Sequence, residues 1–179
     1  MQDLNDTGSY ICLATLAVYY RGLGQSEPFW PSRPEVDCPI TDYTRSIESN
    51  PNDVTAYLAR GTANLKAFAF DSAIADFTKA IELKPNNDSA YTHRGTAHYE
   101  KAEFDRAIAD FTKAIDINPR SALAYCNLGW SYEAIGDERE AIAHYRKALE
   151  LDPSLEAARD NLKLLSPRQP IHRQTKSRN

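Results

Sequence analysis

The chain has 179 residues, of which 42% are hydrophobic and 26% are charged, a balance typical of a folded soluble protein and too apolar for a disordered one. Its formal net charge of -4 argues against a nucleic-acid-binding protein, whose affinity needs a basic face. Three cysteines, an odd number, do not predict a disulfide framework. Seven glycines and ten prolines exclude a collagen-like or linker-like architecture.

The first element along the chain is an apolar run at residues 10–20. It is too short to cross a membrane as a helix, which needs about 20 residues. A secretory signal would place Lys or Arg before the run, whereas Asp3 and Asp6 precede it here. We therefore expect a cytoplasmic protein without a membrane span. The alternative is an exported protein whose leader is hidden by a start site placed too far downstream.

A repeat of 34 residues occupies the middle of the sequence. Residues 73–81 read AIADFTKAI, residues 107–115 read AIADFTKAI again, and residues 141–149 read AIAHYRKAL. Each of the three units closes with a proline at the same interval, namely Pro85, Pro119 and Pro153. A repeat this close to identity indicates modules that pack on their neighbours to bury a shared core.

The same residue types recur at fixed positions when the units are numbered from Val54, Asp88 and Ala122 as position 1. Position 4 is Tyr, position 8 Gly, positions 20 and 27 Ala, position 24 Phe or Tyr, and position 32 Pro. This pattern resembles the tetratricopeptide repeat, a helix–turn–helix unit of the same length, and covers residues 54–155 without a gap. The resemblance implies an all-α, right-handed solenoid of helical hairpins.

The spacing of apolar residues supports two helices per unit independently of the resemblance. Ala73, Ile74 and Phe77 recur at helical intervals, for example. Short polar links separate the helices, and we expect their aspartates (Asp71, Asp105 and Asp137) to cap the second helices. Gly at position 8 is expected to face Ala at position 20, so that the two helices of a unit approach closely.

In chain order, the sequence predicts a flexible N-terminus (1–9), a degenerate hairpin (10–53), three full repeats (54–87, 88–121 and 122–155), a capping helix (156–165) and a disordered basic tail (166–179). Within the degenerate hairpin, residues 10–23 are the predicted first helix and residues 41–51 match a second helix. A proline-rich insertion at 27–39 is expected between them. The alternative is that the N-terminal residues form a disordered leader.

No motif in the sequence predicts catalysis, a metal site or a cofactor. His93 and His98 are five residues apart, about 140° around a helix, and cannot share a metal. The chain contains no HExxH, CxxC, GxGxxG or P-loop motif. Acidic residues such as Asp76 and Asp110 recur at equivalent repeat positions, which indicates a structural role. We therefore expect a protein that is not an enzyme.

In the first two repeats, position 7 is Arg and position 23 is Asp. These residues are Arg60 and Asp76 in the first repeat, and Arg94 and Asp110 in the second. Because a guanidinium near a helix interface favours a carboxylate partner, we predict Arg–Asp pairs. They form either within a unit or between units, in the latter case from Asp42 to Arg60 and from Asp76 to Arg94. Partly exposed pairs of this kind contribute about 0.2–1 kcal/mol each. The alternative is an arginine that extends to solvent beside an unrelated aspartate.

The resemblance implies that the first helices line a concave groove and that positions 2, 5, 6, 9 and 12 face it. The partner-binding residues selected from those positions are Leu58, Thr62, Thr92, His93, Thr96, Tyr99, Leu123, Asn127 and Trp130, with Asn161 from the capping helix. An Asn at position 6 often holds a peptide backbone in the family, and Asn127 has that position. Two alternatives stay open: Asn127 as an exposed helix residue, and Trp130 as a core residue under the capping helix.

We expect a non-enzymatic interaction module that binds a peptide or a partner's helix on its concave face. The alternative is a self-associating structural module. Relatives that hold chaperone tails use Lys and Arg, but the equivalent positions here hold Leu58, Thr62, His93, Leu123 and Asn127, so a carboxylate clamp is not expected. An RNA-reading helical repeat would need a basic groove, and no groove residue is Lys or Arg.

Overall fold

The computed structural model describes residues 34–165, and the side chains of residues 40–165. Regular secondary structure in that range is entirely helical: α1 (Pro34–Ser49), α2 (Val54–Lys66), α3 (Phe70–Leu83), α4 (Asp88–Glu100), α5 (Phe104–Ile117), α6 (Ala122–Ala134), α7 (Glu138–Leu151) and α8 (Glu156–Leu165). The flexible N-terminus (1–9), the first helix of the degenerate hairpin (10–23) and the basic tail (166–179) lie outside the described residues.

The helix α1 covers the predicted second helix of the degenerate hairpin but begins earlier, at Pro34. The last part of the segment expected to be an insertion is therefore helical. Proline is tolerated in the first turn of a helix because its missing N–H would have no helical partner there. The helix ends at Ser49, ahead of Pro51, and packs on α2.

The helices α2 to α7 form three hairpins, α2 with α3, α4 with α5 and α6 with α7. Each hairpin packs on the next, because α3 contacts α4 and α5 contacts α6. The first helices α2, α4 and α6 also contact one another in turn, and α8 packs on α7. The first helices therefore form one wall of a helical solenoid, and α8 covers its end.

Side-chain caps start the first helix of every full repeat. Asp53, Asn87 and Ser121 stand 34 residues apart, and each accepts a hydrogen bond from a backbone N–H two or three residues later. Such caps satisfy N–H groups that have no partner within the helix. The repeat register thus includes the cap as well as the core.

The predicted caps of the second helices are right at only one of three positions. Asp137 accepts from a backbone N–H three residues later, at 3.2 Å. The helices α3 and α5 instead begin after Ala69 and Glu103, which make no side-chain cap. Asp71 and Asp105 lie within the first turn, where their charge interacts favourably with the helix dipole without capping it.

The close approach of the two helices in a hairpin depends on an aromatic ring. A Cβ added to Gly95 would lie 2.8 Å from the ring of Phe111, and one added to Gly129 would lie 2.6 Å from that of Tyr145. The sequence prediction paired this glycine with Ala at position 20. The atoms nearest to the added Cβ belong instead to the ring at position 24, which fills the space over the glycine.

The predicted Arg–Asp pairs are confirmed within repeats. Arg94 donates through Nε and Nη2 to both oxygens of Asp110, at 2.8 and 2.7 Å. Its remaining Nη1 reaches back to Thr78 Oγ1 on α3, at 3.2 Å. The first repeat has the same arrangement in Arg60, Asp76 and Thr44. Each arginine therefore joins its own hairpin to the preceding helix, through threonine rather than through the aspartate that the alternative pairing required.

The third repeat replaces the ion pair with stacked rings. Position 7 is Leu128 and position 23 is His144, whose ring centroid lies 5.3 Å from that of Tyr132 and 6.1 Å from that of Tyr125. Burial lowers the pKa of His144, while the nearby Glu140 opposes that shift. This end of the solenoid is therefore held by apolar and aromatic contacts rather than by buried charge.

Candidate functional site

A groove opens between α4 and α6, the first helices of the second and third repeats, and encloses roughly 580 Å³ including the part open to solvent. Seven of the ten predicted partner-binding residues line it, namely Thr92, His93, Thr96, Tyr99, Leu123, Asn127 and Trp130. Three further lining residues are Leu65, Glu100 and Phe111. The structure therefore brings most of the predicted residues together at one place.

The other three predicted residues lie apart from this groove. Leu58 is half-buried and packs against two core clusters, which include Tyr57 of its own helix and Phe77 of α3. Thr62 on α2 and Asn161 on α8 are half-buried and do not line the groove. The second and third repeats therefore supply most of the groove wall.

The three additional lining residues differ in whether the repeat pattern could have predicted them. Leu65 occupies position 12, one of the positions expected to face the concave side. Phe111 has the signature of a core residue and is only 1% exposed, so it forms the floor of the groove. Glu100 follows Tyr99 in the last turn of α4, outside the expected positions, and no signal in the repeat pattern marks it.

Asn127 is buried inside the groove, with only 7% of its surface exposed. Its backbone oxygen accepts a hydrogen bond from Ser131 Oγ at 3.0 Å, but its side-chain amide makes no hydrogen bond to any residue within 34–165. The alternative of an exposed helix residue is therefore wrong. Among the described residues no fully buried side-chain N or O atom lacks a hydrogen-bond partner, so the Asn127 amide, with one acceptor and two donor hydrogens, reaches solvent in the groove.

Trp130 belongs to both the core and the groove. It packs against the cluster that contains Cys126, Tyr145 and Ala158 of α8, and it also lines the groove. The two alternatives for this residue are thus compatible, because one side of the indole can pack on α8 while the other is open. Trp130 is consequently shared by the core and the groove wall.

The polar groups of α4 in the groove are largely tied to their own helix. Thr92 Oγ1 donates to Asp88 O at 2.8 Å, and Thr96 Oγ1 donates to Thr92 O at 3.0 Å. His93 Nδ1 lies 2.6 Å from Ser89 O, so that nitrogen carries the hydrogen and donates to the carbonyl. Because burial lowers the pKa of His93, its ring is neutral near neutral pH. These threonines still offer hydroxyl oxygens as acceptors.

Two carboxylates lie near Tyr99 at one end of the groove. Burial, with the nearby carboxylates of Glu100 and Glu133, raises the pKa of Tyr99 to about 12. Glu133 in addition accepts a hydrogen bond from the Tyr145 hydroxyl at 2.7 Å. Among the described residues that line the groove, none is Lys or Arg. The groove is thus largely apolar, and Glu100 at the end of α4 is the acidic residue among its described lining.

Within residues 34–165, no group of three or more His, Cys, Asp or Glu side chains is arranged to hold a metal ion. The same stretch of chain contains no helix with the length and apolar character needed to cross a membrane.

Comparisons with known families and structures agree with this architecture. The family model described as "Tetratricopeptide repeat" matches residues 122–155, and the one described as "TPR repeat" matches 69–102 and 95–136. The solved TPR domain of Arabidopsis OM64 is 31% identical with a TM-score of 0.62, over 63% of this chain and 93% of that one. The chain belongs to the tetratricopeptide-repeat (TPR) family. Membership confirms the predicted all-α solenoid of helical hairpins.

Two other solved TPR proteins are similar to this chain. "Crystal structure of MamA" is 26% identical with a TM-score of 0.69, over 82% of this chain and 80% of that one. The first TPR of Spaghetti (RPAP3), bound to the HSP90 peptide SRMEEVD, is 27% identical with a TM-score of 0.61, over 63% of this chain and 89% of that one. A search of curated proteins gave no significant match. The fold and these neighbours support a protein-interaction module.

Proposed function

We propose that this TPR protein is a non-enzymatic adaptor that binds an extended segment of a partner protein in the groove between α4 and α6. The observation that carries the proposal is the side chain of Asn127, which lines the groove, is only 7% exposed and uses that exposure to keep its amide in contact with solvent there. An extended chain supplies the alternating N–H and C=O groups that an amide can pair with. Binding would therefore replace solvent at the Asn127 amide with the backbone of the partner.

Apolar contacts supply the rest of the binding surface. Leu123 is exposed at 39% of its surface, and Trp130 and Tyr99 stand beside it along the groove. Aromatic side chains are frequent anchors at interfaces because they bury a large area while losing few rotamers. The groove can thus bury an apolar side chain next to a backbone hydrogen-bonded by Asn127.

The carboxylate-clamp mode is not part of the proposal. The RPAP3 domain is described with an acidic peptide, SRMEEVD. Here the residues at the clamp positions include Leu58, His93, Leu123 and Asn127, which carry no positive charge when His93 is neutral. A chaperone tail with a terminal carboxylate would consequently meet no Lys or Arg among the described residues that line this groove.

The test is a comparison of partner recovery by the wild type and by Asn127→Ala. Because the amide makes no internal hydrogen bond, its removal leaves no protein group unpaired, and we expect stability within about 0.5 kcal/mol of the wild type. Partner recovery from lysate should fall by fivefold or more, since a lost hydrogen bond in a buried site is worth about 1 kcal/mol or more. Quantitative mass spectrometry of the captured proteins measures the change.

Asn86→Ala is the matched control for that experiment. Asn86 is an exposed amide in the turn between α3 and α4, and it does not line the groove. Its removal should leave recovery unchanged. Equal recovery with Asn127→Ala and with Trp130→Ala, in proteins with the wild-type circular dichroism spectrum, would refute binding in the groove.

Self-association is a second candidate function, favoured by the outer face of α8. Leu164 is almost fully exposed there, next to Lys163, and within the described residues nothing covers this end of the solenoid. An exposed apolar side chain at the end of a repeat array can pack against a second copy. Light scattering at several concentrations decides: a dimer that dissociates in Leu164→Asp supports self-assembly, and a strict monomer supports the adaptor.

A further inference from the structure

We propose that the open face of α1 is a docking surface for residues 10–23 of the same chain, which bind there as the first helix of an additional hairpin. The proposal does not rest on the groove between α4 and α6. It is carried by the exposure of α1 at positions that are buried in every full repeat, and by the repeat pattern of residues 10–23.

The helix α1 has the repeat register of a second helix but not the burial of one. Tyr43 and Ser46 hold positions 24 and 27, and residues 41–51 match the second helices of the full repeats. In those repeats, the ring at position 24 packs on the first helix of its own hairpin, and both this ring and the alanine at position 27 are at most 1% exposed. In α1, by contrast, Tyr43 is only half-buried and Ser46 is exposed.

Position 23 shows the same difference between α1 and the full repeats. The side chain of Asp42 is 71% exposed, whereas those of Asp76 and Asp110 are 6% and 9% exposed. The latter two bind the arginine at position 7 of the first helix in their own hairpin. Within residues 34–165, α2 is the helix that packs on α1, whereas α3, α5 and α7 each pack on two helices. The side of α1 that would face a first helix of its own is therefore uncovered among the described residues.

Residues 10–23 have the sequence pattern of such a first helix. Their spacing matches that of the third repeat, because Leu16, Ala17, Tyr20 and Gly24 correspond to Leu128, Gly129, Tyr132 and Gly136. The segment is similar in length to the first helices α2, α4 and α6, which have 13 residues each. Residues 10–20 carry no charged side chain, and a largely apolar helix is stabilised by burial against a second one.

The segment departs from the full repeats at position 10, where Tyr19 replaces a small residue. In the second repeat that position is Ala97, which packs with Phe77 of the preceding hairpin. Position 10 therefore faces away from the second helix of its own hairpin, and a tyrosine there is compatible with docking on α1.

The register predicts which residues of the segment meet α1. Ala17 holds position 8 and would lie against the ring of Tyr43. Because Ala17 carries the Cβ that the full repeats lack at this position, the ring has to stand further out and the hairpin packs less closely than the other three. Tyr20 holds position 11, whose side chain in the first repeat donates to the aspartate at position 23, at 3.0 Å. We therefore expect the Tyr20 hydroxyl to lie beside Asp42.

The link between the segment and α1 favours docking within one chain over exchange with a second copy. Residues 24–33 form this link, whereas residues 67–69 are sufficient between α2 and α3. A link of this length can span up to about 33 Å, more than the length of about 24 Å for the 16 residues of α1. Short links under strain favour exchange of elements between copies, and this link is long enough to avoid it.

The reactivity of a cysteine on the proposed docking surface tests the proposal in the full chain. The starting variant is Cys12→Ser, Cys38→Ser, in which the buried Cys126 is the remaining native thiol. Ser46→Cys adds a thiol on α1, and Ser72→Cys, at an exposed serine on α3, is the matched control. We expect the Ser46→Cys variant to react with iodoacetamide about tenfold or more slowly than the Ser72→Cys variant. Equal rates would overturn the proposal.

Changes within the segment show whether it causes the protection. Leu16→Asp places a charge at position 7, where Leu128 is only 3% exposed, and should raise the rate of the Ser46→Cys variant by about tenfold. Ile11→Asp is the matched control, because position 2 is exposed in all three full repeats, and should leave that rate within about twofold. Cys126 should stay unreactive in both variants, which reports that the full repeats remain folded. An equal effect of the two charges would contradict the proposed register.

Cross-linking distinguishes the same chain from a second copy. Leu13→Cys combined with Ser46→Cys, in the same starting variant, places thiols at positions 4 and 27, which in the first repeat are Tyr57 and Ala80 of one core cluster. A short bismaleimide should therefore give a cross-linked monomer in dilute protein. A covalent dimer as the main product would mean that a second copy supplies the segment, and the absence of any cross-link would mean that the segment does not dock on α1. Either result would overturn the proposal.

Discussion

A Cβ added to Gly61 would lie 2.7 Å from Cε1 of Phe77, closer than side chains pack. The ring is fully buried, so it has no free space into which it could move. The two later repeats have the same relationship. The glycine at position 8 is therefore required by the ring across the hairpin, and the repeat keeps both.

This relationship predicts that Gly95→Ala destabilises the protein. Helix propensity alone would make alanine more stable by roughly 1 kcal/mol, because glycine is a poor helix former. Overpacking against the buried Phe111 should reverse that sign, with a net loss of about 1–3 kcal/mol in the free energy of unfolding. Urea denaturation measures the change.

Two further variants control for the effect of Gly95→Ala. Thr112→Ala, on the exposed side of α5, should change stability by less than about 0.5 kcal/mol. Adding Phe111→Leu to Gly95→Ala should reduce the penalty relative to the sum of the two single changes, because a smaller side chain makes room for the methyl group. A neutral or stabilising Gly95→Ala would contradict the packing argument.

The 34-residue period predicts most of the fold, whereas it does not predict which side chains contact each other. Identical residues every 34 positions predict helices, small positions and groove-facing positions, as the lining by Thr92, Thr96 and Trp130 illustrates. Which residue meets Gly95 depends on the rotamer of Phe111, which no sequence period encodes. The burial of Asn127 likewise depends on the width of the gap between two repeats rather than on the residue's own position.

Removal of Asp110 should destabilise the protein by more than the roughly 0.2–1 kcal/mol that the sequence analysis expects for a partly exposed Arg–Asp pair. Asp110 is only 6% exposed, and its hydrogen bonds raise the pKa of Arg94. Asp110→Ala leaves the guanidinium without its carboxylate in a half-buried site, and we expect a loss of about 1–3 kcal/mol. A double-mutant cycle with Arg94→Ala isolates the pair energy from the effect of truncation.

The reference for that cycle is the pair of Lys79 and Glu82, which are 3.0 Å apart on the surface of α3. A pair at this helical spacing should give a coupling of only about 0.2–0.5 kcal/mol. Equal coupling energies for the two pairs would show that burial adds nothing to the Arg94–Asp110 interaction.

The turn between α4 and α5 should make stability depend on acid through Glu103. Hydrogen bonds from His98, and then from Lys101, lower the pKa of Glu103 to about 2 from its ordinary value of 4.5. A carboxyl group whose pKa is lower in the folded state stabilises the protein above its unfolded value and loses that contribution as pH falls towards 2. The difference in urea midpoint between the wild type and Glu103→Gln should therefore shrink from pH 5 to pH 2.

The control for the acid series is Glu48→Gln, which removes a carboxylate from the exposed surface of α1. Its midpoint should follow that of the wild type across the same pH range. If the Glu103→Gln difference stays constant between pH 5 and pH 2, the hydrogen bonds of His98 and Lys101 do not select the charged form.

Position 15 of each repeat ends the first helix with a left-handed residue, and this predicts a stabilising substitution. Phe68 and Ala102 both have a φ of 59°, whereas the third repeat has Gly136 with a φ of 84°. Left-handed backbone costs a residue with a Cβ roughly 1 kcal/mol, and glycine avoids this cost.

Ala102→Gly should therefore raise the free energy of unfolding by about 0.5 kcal/mol after the greater unfolded-state entropy of glycine is deducted. The same exchange at Ala109, in the middle of α5, should lower it by about 1 kcal/mol. Thermal and urea unfolding measure both changes. If the backbone conformation of the residue determines the effect, the free energy of unfolding rises for Ala102→Gly and falls for Ala109→Gly. A fall in both variants would show that the turn stores no strain.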